Sequence, residues 1–163
     1  MGTTSLFTDI VGSTEKAVEL GDGGWADLLE RHNAIVRAQL SRFGGQEMDT
    51  SGDGFFAIFP DPAHAIDAAR SIQAGLRDLD LRVRIGIHVG DCWIADNKCT
   101  GLAIHIGARI AALAQADEIL VSEAAKTEAG PTWPVTDRGE TSLKGIPGRW
   151  HLYAVAKPPS QSG

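Results

Sequence analysis

At 163 residues, 43% of them hydrophobic and 22% charged, the chain has the composition of a globular protein long enough to bury one substantial core. A formal charge of −6 argues against nucleic acid or an anionic membrane as the main partner, but not against a small anion held by local groups or a metal. No stretch approaches transmembrane length and the N-terminus lacks the basic start and apolar run of a signal peptide, so the expected setting is the cytoplasm, with no membrane partner within this chain. Cys92 and Cys99 lack metal-ligand spacing and read as reduced thiols, with a disulfide left open.

Ser5 to Ile10 reads as a buried strand carrying Asp9, and Gly12-Ser13-Thr14 follows at once as a helix start. In "GGWADLLERHNAIVRAQLSRFGG", Trp25, Leu28, Leu29, His32, Ile35, Val36, Leu40 and Phe43 recur at helical spacing between paired glycines. "QEMDTSGDGFFAIF" has the pattern of two strands about a tight turn containing Asp53. Asp61 and Pro62 open a second amphipathic helix with Ile66, Ala69, Ile72, Leu76 and Leu79 on one face. "LRVRIGIHVGDCWIA" alternates as a half-buried strand, "GLAIHIGARIAALA" is a third helix of small and apolar residues, and short strands are expected near 119–122, 135–137 and 150–155. The order β-α-β-β-α-β with additions predicts a ferredoxin-like α+β sandwich with one layer of helices on one sheet. A single domain is expected over residues 1–156, with 157–163, "KPPSQSG", disordered by composition.

In that topology the first strand and the hairpin are central neighbours, so Asp9 and Asp53 can lie side by side. Two carboxylates about 4 Å apart repel by roughly 4 kcal/mol at an effective dielectric near 20. Such a pair persists if one acid is protonated or if cations lie between them. Each acid alone has a plain structural reading, Asp9 as a helix cap and Asp53 as a turn residue before glycine. Together, with Gly12, Ser13 and Thr14 offering helix-start N–H groups to a phosphate, they point to metal-assisted phosphoryl or nucleotidyl transfer.

"LFTDIVGST", "TSGDGFFAIF", "GIHVGD", "HIGARIAALA" and "DRGETSLKGIPG" together resemble, in order and over nearly the whole chain, the catalytic domain of the class III adenylyl and guanylyl cyclases, closest to the bacterial, mycobacterial-type subgroup. The resemblance implies cyclisation of ATP or GTP to a 3′,5′-cyclic monophosphate with release of pyrophosphate. It implies two divalent ions, Mg2+ or Mn2+, held by Asp9, Asp53 and the carbonyl of Ile10. The segment Ile10, Val11, Gly12, Ser13 and Thr14 would then cradle the triphosphate. Arg109 falls on the family's transition-state arginine and Lys144 on the lysine that grips the terminal phosphates. The active site would be shared across a head-to-tail homodimer, leaving a lone chain inactive.

Two departures stand out. The transition-state asparagine, one helical turn before the arginine, is here His105, which can still donate a hydrogen bond but with different reach. The purine-reading pair falls on Asp49 and, by a gapless count, Lys98, reversing the charges of the adenylyl pattern; a shift of the loop would bring Asp96 or Cys99 instead. Asp49 and Lys98 can serve either base, or can pair with each other and read nothing; ATP is the expected substrate, with GTP, or both, as the alternative. A catalytically weak nucleotide-sensing module is the competing reading, favoured by His105 and the altered pair and opposed by the retention of Asp9, Asp53, Arg109 and Lys144. A diguanylate cyclase is disfavoured by the absence of its GG(D/E)EF turn, and a purely structural domain leaves the two acids unexplained.

Overall fold

The structure is a computed structural model that describes residues 2–51, 53–96 and 98–156. The chain runs β1 (Thr3–Ile10), α1 (Ser13–Arg42), β2 (Gln46–Ser51), β3 (Gly54–Phe59), α2 (Pro62–Arg77), β4 (Val83–Gly90), β5 (Trp93–Ala95), β6 (Lys98–Thr100), α3 (Leu102–Leu113), β7 (Ile119–Ser122), α4 (Glu123–Ala129), β8 (Val135–Leu143) and β9 (Ile146–Val155). Seven strands form one sheet in the order β2-β3-β1-β4-β7-β9-β8, and β5 and β6 form a separate two-stranded arm. The segment β2-β3-β1-β4 is the expected ferredoxin-like arrangement, antiparallel throughout. Residues 157–163, expected to be disordered, lie outside the described residues.

Strand alternation sorts the sheet into two faces. Leu6 and Ile10 of β1, with Val83, Ile85 and Ile87 of β4, join α2 and the buried Val36 and Leu40 of α1 in the larger core. The opposite face carries a second cluster built by Ile106 and Ile110 of α3 with Leu120, Leu143 and Leu152. The expectation of a single helical layer is therefore corrected: α3 covers the face opposite α1 and α2. A helix apolar on most sides does not reveal which face it covers. Its close approach depends on small residues, since a Cβ at Gly107 would lie 2.8 Å from Ser5 Oγ and 2.9 Å from Phe7 Cε1.

Other boundaries also differ. Helix α1 begins at Ser13 and bends at Gly21, whose φ of 74° breaks the helical run. Strand β4 is buried on both faces because β1 and β7 flank it and helices cover both sides. The expected long strand stops at Gly90, and its continuation becomes the separate arm. Helix α4 was not expected; Ser122 caps it by accepting from the Ala125 N–H at 3.2 Å. Strands β8 and β9 form a hairpin longer than the short strands anticipated. No helix among the described residues is long and apolar enough to cross a membrane.

Candidate active site

Asp9 sits near the end of β1, and Asp53 at the turn that joins β2 to β3. They share a cleft of about 430 Å3 with Ile10, Gly12, Ser13, Thr14, Glu15, Gly54 and Arg84. Gly12 adopts φ 69°, ψ 31°, the left-handed turn that swings the chain from strand into helix without a Cβ penalty. No side chain caps the start of α1, so its first-turn N–H groups remain for an external acceptor. Val11 does not line the cleft; its N–H donates to the Arg82 carbonyl at 2.9 Å.

The electrostatics of this cleft are those of an acid pair only partly relieved. Burial raises the Asp9 carboxyl above its ordinary value, the Arg84 guanidinium 3.8 Å away lowers it, and the charge of Asp53 raises it again. Arg84 escaped the sequence reading, although a lone cation between the apolar residues of "VRIGIHV" was a signal. No cluster of three or more His, Cys, Asp or Glu converges among the described residues. A divalent ion would thus take Asp9 and Asp53 and complete its shell with carbonyl, water or phosphate oxygens, a donor set that suits Mg2+ or Mn2+.

A second cleft, of about 500 Å3, opens on the α3 side of the same sheet. Phe7, Met48, Asp49, Phe56, Lys98, Cys99, Thr100, Ile104, His105 and Ala108 line it. Phe7 and Phe56 are cross-strand partners on the central strands, stacked with centroids 4.5 Å apart and planes 4° from parallel. They form an apolar platform that the sequence reading missed. Asp49 and Lys98 both reach this pocket, and no ion pair joins them among the described residues. A bulge at Met48 makes this possible. Glu47 pairs with Ala57 on one face of the sheet and its carboxylate meets Arg37 at 2.8 Å, whereas Asp49 pairs with Phe56 on the other face.

Arg109 lies one turn beyond His105 on α3, exposed, and Lys144 is exposed at the β8–β9 turn. Neither lines either cleft. The single chain therefore gathers Asp9, Ile10, Gly12, Ser13, Thr14 and Asp53 in one cleft and Asp49, Lys98 and His105 in another, and the two clefts share no lining residue. Cys92 and Cys99 are free thiols; burial and a hydrogen bond with Cys92 push the Cys99 thiol up to about 12.

The fold has well-populated company. CyaB, an adenylyl cyclase from P. aeruginosa, superposes with a TM-score of 0.88 at 22% identity, covering 99% of this chain and 97% of that one. The guanylate cyclase domain of RhGC from Catenaria anguillulae, solved with GTP, superposes at 0.86 with 18% identity, covering 95% and 96%. In sequence, an adenylate cyclase of Lachancea kluyveri is 35% identical over 106 residues, 63% of this chain and 6% of that protein. The chain spans only 6% to 17% of the first curated relatives it matches. The family model for the adenylate and guanylate cyclase catalytic domain matches residues 2–157, and the chain belongs to that family.

Proposed function

We propose that the chain is an adenylate cyclase that converts ATP to 3′,5′-cyclic AMP and pyrophosphate, in an active site shared between two copies. The observation that carries this reading is the acid pair of Asp9 and Asp53 at an uncapped helix start, paired with a flat aromatic pocket flanked by Asp49 and Lys98. Two divalent ions bound by Asp9, Asp53 and the Ile10 carbonyl would supply Lewis acidity to the ribose 3′-hydroxyl and neutralise the triphosphate. The 3′-hydroxyl gives up its proton to solvent as its oxygen attacks the α-phosphorus, the bond from that phosphorus to the bridging oxygen breaks, and pyrophosphate leaves with the electron pair.

The chain's own groups orient and stabilise. The N–H groups at Gly12, Ser13 and Thr14 receive phosphate oxygens, and Arg84 offsets the carboxylates while adding a guanidinium to the same cradle. The Phe7–Phe56 platform takes the purine face, with Lys98 donating to adenine N1 and Asp49 accepting from the exocyclic amine. Arg109 meets the charge that develops on the reacting phosphate, His105 donates beside it, and Lys144 holds the terminal phosphates. The adenylate cyclase relative from Lachancea kluyveri supports ATP over GTP.

Sharing between copies is supported by what the same side of one chain leaves bare. Trp93 is 73% exposed and Ile94 56% exposed on the β5–β6 arm, and Leu102 is 54% exposed at the start of α3. A two-fold pairing through this side sets the acid cleft of one copy against the aromatic pocket of the other.

The test is product formation from ATP and from GTP, with Mn2+ and with Mg2+, over a range of protein concentrations. Cyclic AMP formed at a specific activity that rises with protein concentration, and lost in Asp53→Ala, is the expected result. Activity independent of concentration would refute the shared site. Preferential formation of cyclic GMP would refute the assignment of ATP, and no product from either nucleotide would favour the sensing reading.

A further inference from the structure

Cys92 and Cys99 are the chain's only two cysteines, and the chemistry above gives neither sulfur a task. Both belong to the β5–β6 arm: Cys92 directly precedes β5, and Cys99 is the middle residue of β6. The register of the arm pairs Trp93 with Thr100 and Ile94 with Cys99. One step further along, Cys92 falls opposite Gly101, and a Cβ built at Gly101 would lie 3.4 Å from Cys92 Cα. Cys92 and Ile94, two residues apart, share a face, so Cys92 and Cys99 are diagonal neighbours across the arm. Their side chains meet, the Cys99 thiol donating a hydrogen bond to the Cys92 sulfur. Cys99 is buried, whereas Cys92 is only half-buried. Cys99 also lines the aromatic pocket between Lys98 and Thr100, and Cys92 does not.

Burial and that hydrogen bond hold Cys99 in its thiol form, so an oxidant in solution meets Cys92 first. We propose that Cys92 and Cys99 are a reversible redox pair whose disulfide reshapes the base end of the nucleotide pocket. A hydroperoxide supplies the oxidising equivalent: the Cys92 sulfur attacks its O–O bond, giving a sulfenic acid and, from hydrogen peroxide, water. The Cys99 sulfur then attacks the sulfenic sulfur. The S–S bond forms, the S–O bond breaks, and the departing hydroxide takes the Cys99 proton to become a second water. Two thiols are thus oxidised and one peroxide is reduced to two waters. A covalent bond is shorter than a hydrogen-bonded contact between sulfurs, so closure draws Cys99 toward Cys92. Lys98 and Thr100, its neighbours on β6, move with it, and both line the pocket. The bridged form therefore presents Lys98 out of place to a bound base. A dithiol, attacking the half-buried Cys92 sulfur, reopens the bridge and is itself oxidised to its disulfide. This inference rests on the reading of the second cleft as the nucleotide pocket.

The test uses the full chain, hydrogen peroxide as oxidant, dithiothreitol as reductant, and 3′-deoxy-ATP with Mn2+, which cannot cyclise, as the binding probe. Peroxide is expected to yield a chain lighter by two hydrogens, with no free thiol and no cross-link to a second copy, and dithiothreitol to restore both thiols. Calorimetry should find 3′-deoxy-ATP bound about tenfold more weakly in the bridged form, the loss of about one charge-assisted contact, and recovered on reduction. Cys92→Ser and Cys92→Ala are expected to bind the analogue as the reduced wild type does and to keep that affinity after peroxide. Thiols that persist, a bridge between two copies, or an equal loss of affinity in the Cys92 variants overturns the proposal. The nucleotide reading fails separately. A reduced chain that does not bind 3′-deoxy-ATP refutes that reading, and the effect of the bridge on the pocket falls with it. A reduced chain that binds it, with affinity unchanged by the bridge, refutes only the redox pair.

Discussion

Acidification should destabilise this domain through His88, before its carboxylates begin to protonate. His88 is 4% exposed on β4, with its ring edge-on to Trp150 and its Nδ1 2.7 Å from Ser122 Oγ. The Ser122 oxygen already accepts from the Ala125 N–H at 3.2 Å, so its hydroxyl proton is free to point at Nδ1 and the neutral ring is the form that fits. Burial lowers the His88 pKa from 6.5 to about 4. Above pH 6.5 both folded and unfolded chains hold a neutral ring, and His88 adds no pH dependence. Between about pH 6.5 and pH 4 the unfolded chain binds a proton that the folded chain refuses, so stability falls as pH falls. At about 1.4 kcal/mol per unit, the loss reaches roughly 3 kcal/mol by pH 4, a large part of a typical domain's total of about 5–15 kcal/mol. The assay is urea unfolding at intervals from pH 7.5 to 4.5, comparing wild type with His88→Asn, whose amide oxygen stands near the place of Nδ1. The variant is less stable at neutral pH, and its deficit should shrink by about 2 kcal/mol between pH 6.5 and pH 5. A deficit constant over that range, or a His88 resonance titrating near 6.5, would refute the reasoning.

Two further outcomes follow from packing and charge. Gly86→Ala places a Cβ 2.4 Å from the Ala111 nitrogen and 2.6 Å from its Cα, where only movement of the α3 backbone relieves the clash. A loss of about 3 kcal/mol is expected by thermal or urea unfolding, and a variant as stable as wild type would show that α3 does not sit this close to β4. Arg84→Ala leaves the Asp9–Asp53 pair without its nearest cation. The KM for the nucleotide triphosphate should rise about tenfold with a smaller change in kcat, as suits a charge-assisted contact made before the reaction; a steep fall in kcat alone would instead place Arg84 among the groups that act in the transition state.

The first half of the fold was legible because its signals are local. Alternation marks β1, glycines and a Ser-Gly-Asp-Gly turn mark the β2–β3 hairpin, and the Asp61 cap, which accepts from the His64 N–H at 2.9 Å, marks α2. The neighbourhood of Asp9 and Asp53 then follows from topology alone. What escaped depends on contacts distant in sequence. Strict alternation along β2 sets Glu47 and Asp49 on one face, and the bulge at Met48 that separates them leaves no mark in "QEMDTS". The face chosen by α3 is set by Gly107 against Phe7 and by Gly86 against Ala111, pairings that no single segment displays. The Phe7–Phe56 platform likewise exists only once β1 and β3 are in register.

The distribution of charge across the proposed site carries one more step. Some of the chain's cations are already held by its acids among the described residues. Arg37 has Glu47, Arg138 has Glu118, Lys16 has Asp80, and in the acid cleft Arg84 has Asp9. Lys98, Arg109 and Lys144 are all exposed, and none makes an ion pair among the described residues. The resemblance assigns these three cations to base, transition state and terminal phosphates; Arg31, Arg42, Arg77 and Arg149 are likewise exposed without an ion pair among the described residues. Phe7 and Asp9, two residues apart on one strand, point to the same face of the sheet, so β1 alone carries determinants of both clefts. In the proposed two-fold pairing, β1 of each copy would supply acid to one site and aromatic surface to the other. A polyanion accompanied by divalent ions matches both halves at once. In the proposed site its ions would satisfy Asp9 and Asp53, and its phosphates would meet Lys98, Arg109 and Lys144, which make no ion pair among the described residues.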